Sequence, residues 1–317
     1  MCADVEREVC AFEYGVFERC MHQRVQGGNV GTDIGKARAN GVEIVGVGWN
    51  NASYYLDEYQ GDLRIVTTRN RFSADVSHHL SVLREGGGGK LLIVATLPNS
   101  ARPEPIGKPR EQIQAVRFFG PRAYVATFRR IDPLYVLDLS IPVDPRIAGE
   151  LEIPGFATFL EPLGEGTMER DYLWSVGRDV NASGVFGGVK VELFDVRNMA
   201  RSRSVGAQVF GNAGSFSDAL VDPHALTFLT LPDVAQRYRM AVPINVFDAT
   251  QTPTLNYPGL HLFEVTGIEA GNAELRFQGA IRASGRAVDR SVMHGDSVFY
   301  AHGDQVIGRR WSTVTTN

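Results

Sequence analysis

Apolar residues along this chain fall in short runs separated by polar, Gly- or Pro-bearing links, and almost no run keeps a helical period. Residues 115–140, AVRFFGPRAYVATFRRIDPLYVLDLS, show the pattern. One run ends at the compact turn FFGPR, AYVATF follows, and a polar link leads to LYVLDLS. β-Branched and aromatic residues dominate these runs. That is the composition of strands, and the Gly and Pro between them mark turns.

The module recurs. LYVLD (134–138) returns as VELFD (191–195) and LHLFE (260–264), with a weaker copy, LSVLR, at 80–84. A strand, a Gly-centred turn and a second strand recur around Gly61, Gly120 and Gly295. A later apolar run closes several periods: KLLIVATLP (90–98), RIAGELEIPG (146–155) and ELRFQGAI (274–281). Four short antiparallel strands per repeat, stacked radially, make a propeller blade. The predicted fold is therefore all-β, a β-propeller of four-stranded antiparallel blades. About five blades are represented: 54–98, 111–155, 156–211, 217–283, and a partial fifth from 287 to the end. GTDIGKARANG (31–41) and VEIVGVGW (42–49) read as the outer strand and connection of a preceding blade. Longer insertions are expected at 161–188 and 231–258. Closure is expected either to join the strand near QVIGRRWS (305–312) to VEIVGVG or GTDIGKA or, in a longer chain, to belong to blades outside this segment.

Composition narrows the function classes. The 317 residues carry a net charge of −4, so nothing marks a nucleic-acid partner. No apolar run approaches the ~20 residues of a membrane-spanning helix. The first twenty residues hold all three cysteines, Cys2, Cys10 and Cys20, which excludes a disulfide framework for the rest. Asp4, Glu6, Arg7 and Glu8 stand where a secretory signal would be basic and then apolar. Residues 1–29 form a poorly matched N-terminal segment, and 30–317 form the propeller domain.

Several motifs read as structure. EGGGGK (85–90) lacks the first glycine and the hydroxyl residue of a phosphate loop, and reads as a hairpin turn. DVNASG (179–184) places Asp179, Asn181 and Ser183 at alternate positions, a low-grade calcium candidate; Lys190 stands where an EF-hand has its bidentate glutamate. None of the seven histidines has zinc spacing. His78 and His79 face opposite sides of a strand, and His261 is expected to face a polar side. AGSFSD (213–218) is not a nucleophile elbow, since Ser215 precedes a strand. Asn51 and Asn181 match the glycosylation acceptor pattern incidentally. On the innermost strands, Glu58 and Arg117 each stand three residues before a turn glycine. With Asp57, Asp132 and Asp218 they are the channel-facing candidates. An interblade ion pair is the plainer reading of Glu58 and Arg117, because buried charges need partners.

LDEYQGDLRIVTT (56–68), VRFFGPRAYVATFRRIDPLYVLDLS (116–140), ELEIPGFATFLEPLGEG (150–166), GVKVELFDV (188–196) and SFSDALVDPHALTFL (215–229) together resemble a prokaryotic family of secreted C-terminal β-propeller domains distantly related to WD repeats. LYVLDLSIPVDPRIAGELEIPG is also similar to the short LVIVD propeller repeat. The resemblance runs from about residue 30 to the C-terminus. It implies a secreted or cell-envelope location and further blades N-terminal to this segment, and it carries over no catalytic residue. The expected function is a non-catalytic binding scaffold for a protein, peptide or glycan ligand, recognised through a loop-rich rim. No cofactor is expected beyond the calcium candidate. The alternative is an extracellular hydrolase with acids at the channel mouth. Convergence of Asp57, Glu58, Asp132 and Asp218 in one pocket favours the hydrolase; dispersal or pairing with arginines favours the binder. A stable spacer domain in a larger envelope protein is a third reading.

Overall fold

The computed structural model describes the backbone of 37–39 and 42–44, and residues 52–87, 91–129, 132–164, 171–231, 237–285 and 287–315. Strands β1 (Ala37–Ala39) and β2 (Val42–Ile44) pair with each other. The rest falls into five antiparallel sheets in chain order, with no α-helix among the described residues. Blade I holds β3 (Leu56–Tyr59), β4 (Asp62–Arg69), β5 (Ser77–Glu85) and β6 (Leu91–Leu97). Blade II holds β7 (Gln112–Phe119), β8 (Arg122–Phe128), β9 (Asp132–Asp138) and β10 (Arg146–Ile153). Blade III holds β11 (Phe156–Leu163), β12 (Tyr172–Val180), β13 (Phe186–Asp195) and β14 (Arg203–Phe210). Blade IV holds β15 (Thr227–Leu231), β16 (Arg237–Asp248), β17 (Leu255–Thr266) and β18 (Glu274–Arg282). Blade V holds three strands: β19 (Asp289–His294), β20 (Ser297–His302) and β21 (Gln305–Arg310).

Each sheet runs in simple sequence order, so successive strands are hairpin neighbours. The recurring phrases are the third strands β5, β9, β13 and β17, and the closing runs are the fourth. Their different patterns have a physical cause. Second and third strands are covered on both faces by adjoining blades. Their runs are nearly continuously buried, as in β8, β13 and β17. Fourth strands keep one wet face, so β10 and β14 alternate.

Burial is greatest between blades. Val66 and Leu80 of blade I pack with Val125 and Leu137 of blade II. Tyr124 and Val136 meet Leu160, Leu173 and Phe194 across the II–III junction. Trp174 and Val191 meet Met240 and Phe263 across III–IV. Leu260 and Leu262 meet Val298, Tyr300 and Trp311 across IV–V. A side chain of this size contributes roughly 1.5–3 kcal/mol when fully buried, so these junctions hold the array together.

Arginines latch one blade to the next. Arg64 of blade I donates to the Gly120 carbonyl of blade II at 2.6 Å. Arg122 of blade II donates to the Val196 carbonyl of blade III at 2.6 Å. Arg239 of blade IV donates to the Gly295 carbonyl of blade V at 2.9 Å and covers the Trp311 ring at 4.5 Å.

The structure corrects four expectations. Residues 161–188 and 231–258 are not simple insertions: both are mostly the long strands of blades III and IV. Blade IV opens at Thr227, because 217–226 forms two capped 3-10 turns, Asp218–Leu220 and Pro223–Ala225. No fourth strand joins β21 among the described residues; β1 and β2 pair with each other instead. His261 does not face a polar side. It is fully buried, stacked on Phe277 and edge-on to Phe210 at the junction of blades III and IV.

Candidate functional rim

Two of the channel-facing candidates, Asp57 and Arg117, are engaged in ion pairs. Asp57 on β3 forms an ion pair with Arg64, itself held by the Gly120 carbonyl. Arg117 on β7 pairs with Glu161 on β11 at 3.0 Å and lies 4.5 Å over the Tyr54 ring. This is the interblade ion pair expected for Arg117, but its partner is Glu161 and not Glu58. Glu161 stands three residues before Gly164, the same turn offset as Glu58 and Arg117. Burial raises the Glu161 carboxyl above the usual glutamate range, while Arg117 pulls it down. Glu58 is half-buried on β3, with no polar partner among the described residues. Asp218 opens the first 3-10 turn before blade IV and accepts from the Asp289 backbone N–H at 3.4 Å. Asp132 starts β9 opposite Ile153; its side chain lies outside the described residues.

The calcium-like run forms the hairpin between β12 and β13. The Asn181 side-chain oxygen accepts the backbone N–H groups of Ser183 and Val185, both at 3.0 Å. Gly184 takes φ +78°, the conformation that the sharp turn needs. Asn181 is thereby engaged in closing the turn. Ser215 likewise serves structure: its hydroxyl donates to the Phe247 carbonyl at 3.0 Å and accepts from the Phe247 N–H at 2.9 Å. His78 accepts from the Thr68 hydroxyl side at 2.9 Å and donates to the Glu111 carbonyl at 3.0 Å, with burial pushing it down to about 4.

The repeated acid also has a structural role. Asp138 receives Arg146 at 2.6 Å, Asp195 receives Arg197 at 2.7 Å and Arg203 at 3.0 Å, and Glu264 receives Arg239 at 3.1 Å. Blade I swaps the signs: Arg84 closes the phrase and pairs with Asp62 at 2.6 Å.

Two surface features stand at opposite ends of blades II and III. At one rim, the end of β8 and the starts of β11 and β13 bring Phe128, Phe156 and Phe186 together. Ring centroids lie 4.5 Å apart for Phe128–Phe156, 5.8 Å for Phe128–Phe186 and 6.1 Å for Phe156–Phe186. Phe186 is 43% exposed and its neighbour Val185 58%. The Arg178 guanidinium, anchored to the Ser215, Gly187 and Ala213 carbonyls, sits 5.9 Å from the Phe186 ring. Sequence reasoning missed this trio because its members stand about thirty residues apart. Only the alternating strand direction of adjacent blades puts them at one end.

At the other end, the loops that lead into β10 and β14 enclose an open cleft of about 1090 Å³. Arginines dominate its walls: Arg122, Arg146, Arg197, Arg201 and Arg203. The 3-10 turn Met199–Arg201 forms one wall and packs tightly on β10. A Cβ at Gly149 would stand 1.8 Å from the Met199 carbonyl oxygen, so only glycine fits there.

Uncharacterised proteins of two archaea are similar to parts of the chain. One, from Methanocaldococcus jannaschii, is 32% identical over 155 residues, 48% of this chain and 22% of its own length. The other, from Archaeoglobus fulgidus, is 35% identical over 172 residues, 54% of this chain and 23% of its own. The chain thus matches less than a quarter of the length of these relatives. Among solved structures, the β-propeller domain of the Trilobed protease from Pyrococcus furiosus aligns with 81% of this chain and 95% of its own, at 9% identity and a TM-score of 0.25. The family model described as beta propeller domain matches residues 31–314, and the chain belongs to that family.

Proposed function

We propose that this chain is a binding module of an exported protein, taking a protein, peptide or glycan ligand on its rim. The observation that carries this reading is the aromatic trio Phe128, Phe156 and Phe186. It is a partly exposed, preorganised apolar patch with a cation at its edge. Rigid aromatic side chains give large contact area at small entropic cost, and they are enriched where proteins bind partners. The location outside the cytoplasm rests on the family resemblance alone.

Glu161 favours the second reading, an extracellular hydrolase. Its carboxyl is raised by burial, as a general acid requires. Against it, Arg117 holds that carboxylate at 3.0 Å, and Asp57 is held in the same way by Arg64. Hydrolysis of a glycosidic bond ordinarily takes two carboxyl groups flanking one bond.

The test is a screen of immobilised glycans and peptides with the wild-type chain and with Phe186→Asp. Retention by wild type and at least tenfold weaker retention by Phe186→Asp supports the rim reading. Equal retention overturns it. Ligand cleavage by wild type that Glu161→Gln abolishes establishes the hydrolase instead.

A further inference from the structure

The arginine-lined cleft lies at the opposite end of blades II and III from the aromatic trio, and its chemistry is different. Five arginines and one aspartate, Asp195, line it, in a chain whose overall charge is −4. Arg146 pairs with Asp138, buried Arg122 with Asp171, and Arg197 and Arg203 share Asp195. Arg201 is exposed at the end of its 3-10 turn and has no partner among the described residues. Positive charge therefore exceeds negative charge in the cleft. The side chains of Arg146 and Arg203 stay 55% and 62% exposed despite their ion pairs, so both remain within reach of a ligand.

We propose that this cleft binds an acidic peptide segment. The anion follows from the charge surplus. Guanidinium forks match planar carboxylates, and arginine clusters are a recurring means of reading acidic motifs. The peptide follows from three further features. Ile147, Ala148, Met199 and Ala200 supply an apolar lining for aliphatic side chains. Among the described residues no aromatic ring lines the cleft to stack on a sugar. One wall, Arg146–Ala148, belongs to β10, the outermost strand of its sheet, whose far backbone edge pairs with no other strand among the described residues. An extended peptide can align along such an edge. The site is independent of the rim patch.

The experiment is fluorescence anisotropy with a labelled octapeptide of glutamates and leucines, at low and high salt, on wild type, Arg201→Glu and Phe186→Asp. Thermal unfolding checks each variant. Arg201 is exposed and has no partner among the described residues, so its exchange should leave the fold intact. The expected result is salt-sensitive binding that Arg201→Glu weakens at least fivefold and Phe186→Asp leaves unchanged. Absence of binding by wild type overturns the proposal, as does a loss in Phe186→Asp equal to that in Arg201→Glu. Displacement by equimolar inorganic phosphate would show a general anion site, and stronger binding of a sulfated polysaccharide a glycan site. Either overturns the choice of a peptide. Failure here leaves the rim reading standing, because that reading is tested at the other end of the blades.

Discussion

Arg117 and Glu161 show how a single pair can look functional in sequence and be structural in place. Arg117 could be singled out because it stands on an innermost strand three residues before a turn glycine. The same offset from Gly164 marks Glu161, and that signal was available in the sequence. Arg117→Met leaves the partly buried Glu161 without its partner, so it should destabilise by about 2–4 kcal/mol. The double variant with Glu161→Gln should recover part of that loss, giving a coupling of about 1–2 kcal/mol in denaturant unfolding. Simple additivity would mean the pair does not join the two blades energetically.

His261 carries a pH prediction. Burial pushes it down to about 4, from an ordinary value near 6.5. The unfolded chain therefore binds more protons than the folded one between those values. The stability from neutral His261 is complete above pH 6.5 and is lost as pH falls towards 4, by about 3 kcal/mol at most. His78 acts in the same direction. Asp171, raised to about 6 by burial, and Glu161, also raised, act in the opposite direction, gaining stability as they protonate. The informative quantity is thus a difference between proteins. His261→Phe should cost stability at pH 7 through loss of the hydrogen bond to the Gly259 carbonyl, and this deficit should shrink between pH 6.5 and 4.5. A deficit constant with pH would mean His261 does not titrate as a buried neutral group.

At the scale of the element, most of the fold was legible. The third-strand phrase, the turn glycines and the closing run located four of the five blades within a few residues, because each phrase reports a strand with a fixed degree of cover. Blade IV was placed about ten residues early at its start. SFSDALVDPHAL is rich in capping residues, and Ser217 and Asp222 each cap a 3-10 turn there instead of opening a strand. What periodicity cannot show is which strand ends meet. The phenylalanine trio and the arginine cleft both depend on that, so neither was readable. The latches between blades are similarly hidden, because an arginine donating to a carbonyl leaves no mark on the acceptor residue. Arg122→Met should destabilise by roughly 3–5 kcal/mol, since it strips buried Asp171 of its cation and Val196 of its donor. A loss below 1 kcal/mol in urea unfolding would show that the latch is dispensable. Gly149→Ala should displace the Met199–Arg201 turn from β10. Acidic-peptide binding should weaken with it, even though residue 149 touches no ligand.

At the scale of the whole molecule, blade V is the last sheet in chain order and holds three strands among the described residues. Blade V turns Val292 (61% exposed), Phe299 (45%) and Val306 (71%) outward. An apolar sheet face of this kind favours association. The isolated chain should self-associate in sedimentation, and Val292→Lys with Phe299→Lys should shift it to monomer. A wild-type chain that stays monomeric at high concentration would show that the face is harmless as it stands. The charge distribution of the whole molecule bears on function more directly. The third-strand acids Asp138, Asp195 and Glu264 are all engaged by arginines, and the exposed chemistry at the two ends of blades II and III is aromatic or cationic. On the proposed binding reading, the molecule holds a ligand without altering it. The direct measurement is mass analysis of a peptide and glycan library after long incubation with the purified chain. The prediction is that captured ligands elute intact. Products of cleavage that accumulate with time, and vanish in Glu161→Gln, would contradict it.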